Sequence, residues 1–260
     1  MSAPAEVVVH ADPAVLATAV AARVVTVLVD AQAARGSASL VVAGGGSGTA
    51  VLEQLRRSPA CGAIDWRRVD VFWGDERFLP AGHPDRNDTQ ARAALLDHVD
   101  VDPDRVFTMA ASDGVHGDDP EAAAAAYAAV LARRSHPEDH ADVPRFDVVL
   151  LGVGVEGHVA SVFPDSAAVY EQERSVVAVR SCPKPPPTRI SLTLPAIRQA
   201  SQVWLCVTGE GKAGAVQLGL GGAGEVAVPA AGARGLRRTL WILDRAAASA
   251  LPRDLLPPLH

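Results

Sequence analysis

His158 directly follows Gly157 and lies two residues after Glu156, in the stretch FDVVLLGVGVEGHVASVFPDS at 146–166. An imidazole near a carboxylate suits proton transfer close to neutral pH, where neutral histidine is the natural general base. The preceding glycines, Gly152, Gly154 and Gly157, are spaced G-x-G-x-x-G, as in a dinucleotide-binding turn. That reading needs a full helix after the glycines and an acid at the end of the next strand, roughly 20 residues on. Pro164 allows only a short helix, and Glu171 and Glu173 precede the next apolar run instead of ending it. What remains is a glycine-lined loop that presents Glu156 and His158, with a purely structural histidine as the alternative.

Other segments could bind an anion. In AGGGSGTAVLEQL, Gly44, Gly45 and Gly46 let the backbone approach a ligand, and Ser47 stands where it can cap the next helix. Free N–H groups at a helix N-terminus attract phosphate, although the same residues also read as a tight turn with an ordinary cap. The pattern is not G-x-x-x-x-G-K-[ST], which excludes a nucleoside triphosphate loop of that type. In FWGDERFLP, Asp75, Glu76 and Arg77 sit at the mouth of an apolar strand. They form either a solvated charged loop or a place where Arg77 offers its planar fork of donors to an anion. Asn87 and Asp88 are expected to cap the helix beginning there. In LCVTGEGKAGAV, Gly209, Gly211 and Lys212 open another helix. A cation in that first turn opposes the helix dipole by about a few tenths of a kcal/mol, a penalty that a bound anion would reverse.

Only two of the 24 Lys and Arg residues are lysines, Lys184 and Lys212. Lys184 lies in CPKPPPT, whose prolines stiffen the approach to Arg189. His136 and His140 have the spacing of metal ligands on a helix, but Pro137 and the surrounding acids argue against zinc. His10, His83, His98, His116 and His260 have no consistent partners in the sequence.

These residues must be positioned by elements that alternate along the chain. Strands are expected near 6–10, 39–43, 69–73, 146–151, 175–179, 189–193, 202–207 and 239–243, and helices over 12–35, 47–57, 87–98, 119–134, 194–200, 210–219 and 244–250. Nearly continuous apolar strands alternating with helices predict an α/β fold. It is Rossmann-like, a three-layer sandwich with a mainly parallel sheet and helices on both faces. Ligands on such folds bind at the carboxyl ends of strands, where the glycine-rich and charged segments above all fall. SDGVHGDDP (112–120) reads as a helix-starting loop, and GLGGAGEVAVPAAGARG (219–235) as a long, mobile connection. Neither divides the chain into compositionally distinct halves, so a single domain over 1–260 is expected.

With 48% hydrophobic and 21% charged residues, the composition is that of a soluble globular protein. The net charge of -6 disfavours non-specific binding to nucleic acid or anionic membranes, so cations for an anionic ligand must be concentrated locally. No unbroken apolar run reaches the roughly 18 residues of a membrane span. The N-terminal MSAPAEVVVH carries acid where a signal peptide needs base. Cys61, Cys182 and Cys206 lack paired spacing, as expected for a reducing cytoplasm.

Taken together, GGGSG (44–48), WGDERFLP (73–80) with HPDRN (83–87), LLGVGVEGHVASVFPDS (150–166), PKPPPTRISLTLP (183–195) and TGEGKA (208–213) resemble the 6-phosphogluconolactonases. These form part of the glucosamine-6-phosphate isomerase/6-phosphogluconolactonase superfamily. The segments occur in the family's order and span nearly the whole chain. Two positions depart from its usual pattern: Gly48 and Thr49 stand where threonine-proline is common, and Glu156 where aspartate is common. The resemblance implies hydrolysis of 6-phospho-D-glucono-1,5-lactone to 6-phosphogluconate, with no metal or organic cofactor. It implies His158 as the base with Glu156 orienting it, and a phosphate site from Gly45, Gly46, Ser47, Arg189 and Lys212. Arg77 would be a further anion contact and Asp75 would line the sugar site. The expected partner is a small sugar-phosphate lactone, with no nucleic acid, membrane or obligate protein partner. The related deaminases continue from the histidine loop into phenylalanine-asparagine-glutamate-proline; this chain reads ASVFPDS and lacks that glutamate. A sugar-phosphate-sensing module would dispense with the base and carry DNA-binding helices, whereas here the N-terminus runs almost at once into a strand.

Overall fold

Alternating β-branched strands and alanine-rich helices assemble as follows in a computed structural model that describes residues 4–135, 142–252 and 255. The chain runs β1 (Glu6–His10), α1 (Pro13–Arg35), β2 (Ala38–Val42), α2 (Gly45–Arg57), β3 (Val69–Trp73), β4 (Asp75–Arg77), α3 (Asn87–Ala94) and β5 (Val106–Phe107). It continues through α4 (Pro120–Arg134), β6 (Val148–Gly152), α5 (Ala167–Tyr170), β7 (Val176–Val179), β8 (Arg189–Leu192), α6 (Leu194–Ile197), β9 (Gln202–Val207), α7 (Ala213–Leu220), α8 (Pro229–Gly232) and β10 (Arg238–Asp244).

Seven strands form one sheet in the order β1-β10-β9-β6-β2-β3-β5, and every pairing in it is parallel. The chain leaves β2 through α2 for β3 on one side, while β6 lies on the other side and leads outward to β9. That reversal makes a crevice at the carboxyl ends of β2 and β6, where ligands of open α/β sheets bind.

Helix α1 begins with Asp12 accepting from the Val15 N–H at 2.9 Å and ends at Gly36 in the left-handed region. Leu16, Val20, Val24 and Leu28, each four residues apart, are fully buried. Burial contributes roughly 1.5–3 kcal/mol for each such side chain. The helix packs on α2, β1, β2 and β10, and α2 in turn reaches β6 and β9. Over its 23 residues, with a hydropathy of 1.9, α1 is long and apolar enough to cross a membrane. The count of unbroken apolar residues missed this because isolated charges interrupt the run, and the buried stripe gives α1 the role of a core helix.

A second sheet, β4-β8-β7, is antiparallel and was not expected. Its strand β4 carries the three charges Asp75, Glu76 and Arg77, so no apolar alternation marks it; pairing with β8 makes it a strand. α4 packs on β7 and β8, and the Tyr127 hydroxyl accepts from the Trp73 N–H at 3.0 Å. Asp119 caps α4, as the helix-starting loop required.

The last expected helix and the expected mobile connection are not found. Residues 245–250 form hydrogen-bonded turns, not a helix, because Asp244 accepts from Ala247 N–H at 2.7 Å and starts a tight turn. The 219–235 connection is pinned, not mobile: it contains α8, buries Val228 and Ala230 and bonds to two distant loops. His136 and His140 lie outside the described residues; among those described, no cluster has the makings of a metal site.

Candidate active site

Loops after β2, β3, β6 and β9 enclose a cavity of about 530 Å³. Into it come Ser47, Asp75, Arg77, His158, Lys184, Arg189 and Lys212. Of the residues expected to bind or act on a ligand, only Glu156 does not line the cavity; it lies beside His158.

The histidine loop is shaped by its glycines, each for a different reason. Gly154 N–H donates to the His158 carbonyl at 3.0 Å, closing the loop on itself. A Cβ on Gly154 would lie 2.0 Å from His158 Nδ1 and 2.6 Å from a Glu156 carboxylate oxygen. No side chain fits there while the imidazole keeps its place. Gly157 adopts φ +88, and its carbonyl accepts from the Ala230 N–H at 2.9 Å, so the 219–235 segment braces the loop. Gly152 has open space around it. Replacing Gly154 with alanine should leave folding intact, since the imidazole can swing away, but lower kcat by about 10–100-fold, short of full loss of a general base. A circular-dichroism melt and a turnover assay check the two halves; full activity would show that the ring position is not needed.

The His158 ring stacks on Phe163 with centroids 4.2 Å apart. Its Nδ1 lies 3.2 Å from Glu156 Oε2, out of line for a well-directed hydrogen bond. Nδ1 is the nitrogen turned to the carboxylate, and Nε2 is the one turned away from it. Burial pushes the imidazole below its ordinary pKa and the Lys184 cation adds to this, while Glu156 and Asp75 pull the other way. Burial also pushes the Glu156 carboxyl up, but its own backbone N–H, Lys184 and the imidazole outweigh that and hold it below the ordinary glutamate value.

Strand β4 sorts its charges by the two-residue period of a strand. Asp75 and Arg77 face the cavity, while Glu76 points inward and is wholly buried. Glu76 accepts from the N–H groups of Arg77 at 2.7 Å, Asn87 at 2.7 Å and Asp88 at 2.8 Å. The buried Arg86 lies 3.6 Å away and donates to the carbonyls of Leu79 and Met109. Burial pushes the Glu76 carboxyl up to about 7, against the pull of Arg86 and the three N–H donors. Glu76, not Asn87 or Asp88, thus caps α3. Capping from a distant residue leaves no local sequence signal. Asn87 instead donates to the Asp75 backbone oxygen at 2.8 Å and to its carboxylate at 3.2 Å.

Ser47 does not cap α2. The N-cap is Gly44, which offers no side chain, so the first N–H groups of α2 remain open toward an anion. Ser47 lies inside the first turn with its hydroxyl 3.1 Å from that of Thr208. Gly45, at φ +76, makes the turn into the helix. Arg77 and Arg189 stand directly opposite in the β4–β8 ladder, a like-charge pair that is unfavourable unless something anionic lies between. Arg189 spends donors on the carbonyls of Pro186, Lys184 and Pro185 at 3.0–3.2 Å, and its Nη1 approaches Asp75 at 3.7 Å. Arg77 donates to the Asp85 carbonyl at 2.5 Å. The Lys212 ammonium has no hydrogen bond or ion pair to another described residue; burial pushes its pKa down and Lys184 adds to this. Both lysines of the chain line this one cavity.

Sequence reasoning missed Asp244, which is buried and accepts from the Gly209 N–H at 3.1 Å, fixing the loop before Lys212. An acid at the end of a parallel strand was the available signal. Thr208 and Asn87 also line the cavity; they belong to the segments TGEGKA (208–213) and HPDRN (83–87).

A Rossmann-like parallel sheet with a cationic cavity at its switch point defines an α/β protein of the class that holds small anionic ligands at its strand ends. The profile of the family described as glucosamine-6-phosphate isomerases/6-phosphogluconolactonase matches residues 11–241, and the chain belongs to that family. It is 62% identical over 258 residues to a 6-phosphogluconolactonase of Streptomyces coelicolor, covering 99% of each chain. Identity to a 6-phosphogluconolactonase of Mycobacterium tuberculosis is 53% over 241 residues, 93% of this chain and 96% of the other. Among solved structures, the 6-phosphogluconolactonase of Trypanosoma brucei superposes with a TM-score of 0.81 at 29% identity, covering 97% of this chain and 100% of that one. A monomeric glucosamine-6-phosphate deaminase shares the fold, with a TM-score of 0.76 at 21% identity over 94% and 99% of the two chains.

Proposed function

We propose that this chain hydrolyses 6-phospho-D-glucono-1,5-lactone to 6-phosphogluconate, with His158 as general base. The observation that carries the mechanism is the half-buried imidazole, turned by Nδ1 to Glu156 and lining a cavity with four cations and the single carboxylate of Asp75. His158 Nε2 takes a proton from water as the water oxygen bonds to the lactone carbonyl carbon. The tetrahedral intermediate then collapses, the bond from that carbon to the ring oxygen breaks, and His158 returns the proton to the ring oxygen. The open-chain acid ionises on release.

The phosphate, remote from the reacting carbon, supplies binding energy that positions it. Lys212, Arg189, Arg77 and the α2 N-terminus with Gly45, Gly46 and Ser47 form its site in this reading, and Asp75 faces the sugar. Glu225, Val228 and Ala230 belong to a segment packed on the same core as both sheets, which supports one domain over 1–260. The net charge of -6 and the two bacterial relatives favour a cytoplasmic enzyme with a small-molecule substrate and no nucleic-acid, membrane or obligate protein partner.

A coupled assay with freshly generated lactone tests the function, since the lactone also opens spontaneously; a rate equal to that in buffer would overturn it. Lys212→Ala should raise KM by about 10–100-fold with little change in kcat, as expected when one hydrogen-bonded charge contact of roughly 1.5–3 kcal/mol is lost. Equal affinity of the wild type for 6-phosphogluconate and gluconate would remove the phosphate site.

A further inference from the structure

We propose that Lys184 is a positioning residue for the base: its ammonium holds the Glu156 carboxylate beside His158 Nδ1, from a loop gripped by Arg189. This rests on the reading of His158 as general base. Lys184 Nζ donates to Glu156 Oε2 at 2.9 Å, and the same oxygen lies 3.2 Å from His158 Nδ1. One carboxylate oxygen is therefore shared between a fixed cation and the imidazole. The Lys184 backbone is anchored in turn, because the Arg189 guanidinium donates to the carbonyls of Lys184, Pro185 and Pro186. The lysine charge is thus committed to Glu156, in contrast to that of Lys212.

Two carboxylates face His158, Glu156 from its own loop and Asp75 from β4, and both favour the protonated ring. Arg189 lies 3.7 Å from Asp75 and moderates it. Lys184 is the cation that acts directly against both, sharing the Glu156 oxygen and repelling a proton on the ring. Phe163, stacked on the imidazole, adds no charge. Without Lys184, Glu156 would be drawn wholly to Nδ1 and the imidazolium would gain. A base that must be neutral would then be lost at a higher pH.

Lys184→Met should move the acidic limb of the kcat/KM profile up by about 0.5–1 pH unit. Well below the wild-type midpoint it should lower kcat/KM by about three- to ten-fold, the ratio that such a shift gives for a required neutral base, and leave KM nearly unchanged. Lys184→Gln, which keeps a donor without the charge on a shorter side chain, should behave alike, and Lys184→Arg should recover the wild-type limb. An NMR titration of the His158 ring in the ligand-free protein gives the same shift without turnover. An unmoved ring titration in Lys184→Met and Lys184→Gln would overturn the proposal, as would a ten-fold rise in KM at unchanged kcat, which marks a direct anion contact. If the wild type opens no lactone yet the ring titration shifts, the positioning role stands and the proposed reaction falls.

Discussion

His158→Ala should lose ~10²–10⁴-fold in kcat, or roughly 3–5 kcal/mol of barrier, the usual contribution of a general base. The residue touches the cavity through a ring that burial holds below its ordinary pKa, which favours the neutral form that can accept a proton. The cations that would hold the phosphate belong to other loops, and affinity for 6-phosphogluconate should stay within a few fold. The wild-type profile carries a matching sign: kcat/KM should fall as pH drops through the imidazole pKa, with its midpoint below the ordinary histidine value of about 6.5. Rates are measured after subtracting spontaneous opening. A variant that keeps its kcat, or an acidic limb that survives the loss of the ring, would remove His158 from the chemistry.

Glu76→Ala should destabilise the fold by about 3–5 kcal/mol, the cost of breaking a buried ion pair by removing one partner. For a chain of this size that is on the order of 10 °C in Tm. The substitution leaves the guanidinium of Arg86 and the N–H groups of Arg77, Asn87 and Asp88 without their shared acceptor, in a place water does not reach. Glu76→Gln should cost less, because its carbonyl still accepts from Arg77 and Asn87; its remaining cost comes from an amide NH2 that cannot accept from the Asp88 N–H. Urea unfolding measures both. The exposed Arg67–Asp100 pair makes a control, since solvent-exposed ion pairs contribute little. If Glu76→Ala unfolds at the wild-type midpoint, the α3 N-terminus and the β4–β8 pairing stand without this carboxylate. The residues on either side of Glu76 face the cavity, so this buried carboxylate also sets where Asp75 and Arg77 point.

Much of the parallel sheet was legible because its signal is local. β1, β3 and β9 are short runs of β-branched and apolar residues whose observed limits match the expected ones. The periodic stripe of α1 likewise declares a helix with its own cap. β4 was not legible, since three charged residues become a strand only when β8 lies beside them. The short β5 was passed over for want of length. Glycine spacing near His158 was ambiguous in sequence because close approach and a left-handed backbone both select glycine. The structure separates them: Gly154 makes room for the imidazole, and Gly157 supplies the positive φ.

By itself the sequence determined the α/β alternation, the strand ends as the place for chemistry, the pairing of Glu156 with His158, and the scarcity that made two lysines informative. These follow from period, chain proximity and composition, which need no fold to be read. Only the tertiary structure decided that both lysines meet in one cavity, that Glu76 is a buried cap while its neighbours face the ligand space, and that the 219–235 segment braces the histidine loop. Each of those depends on contacts between residues far apart in the chain, and whether a charge is solvated, paired or buried is settled by what the fold packs against it.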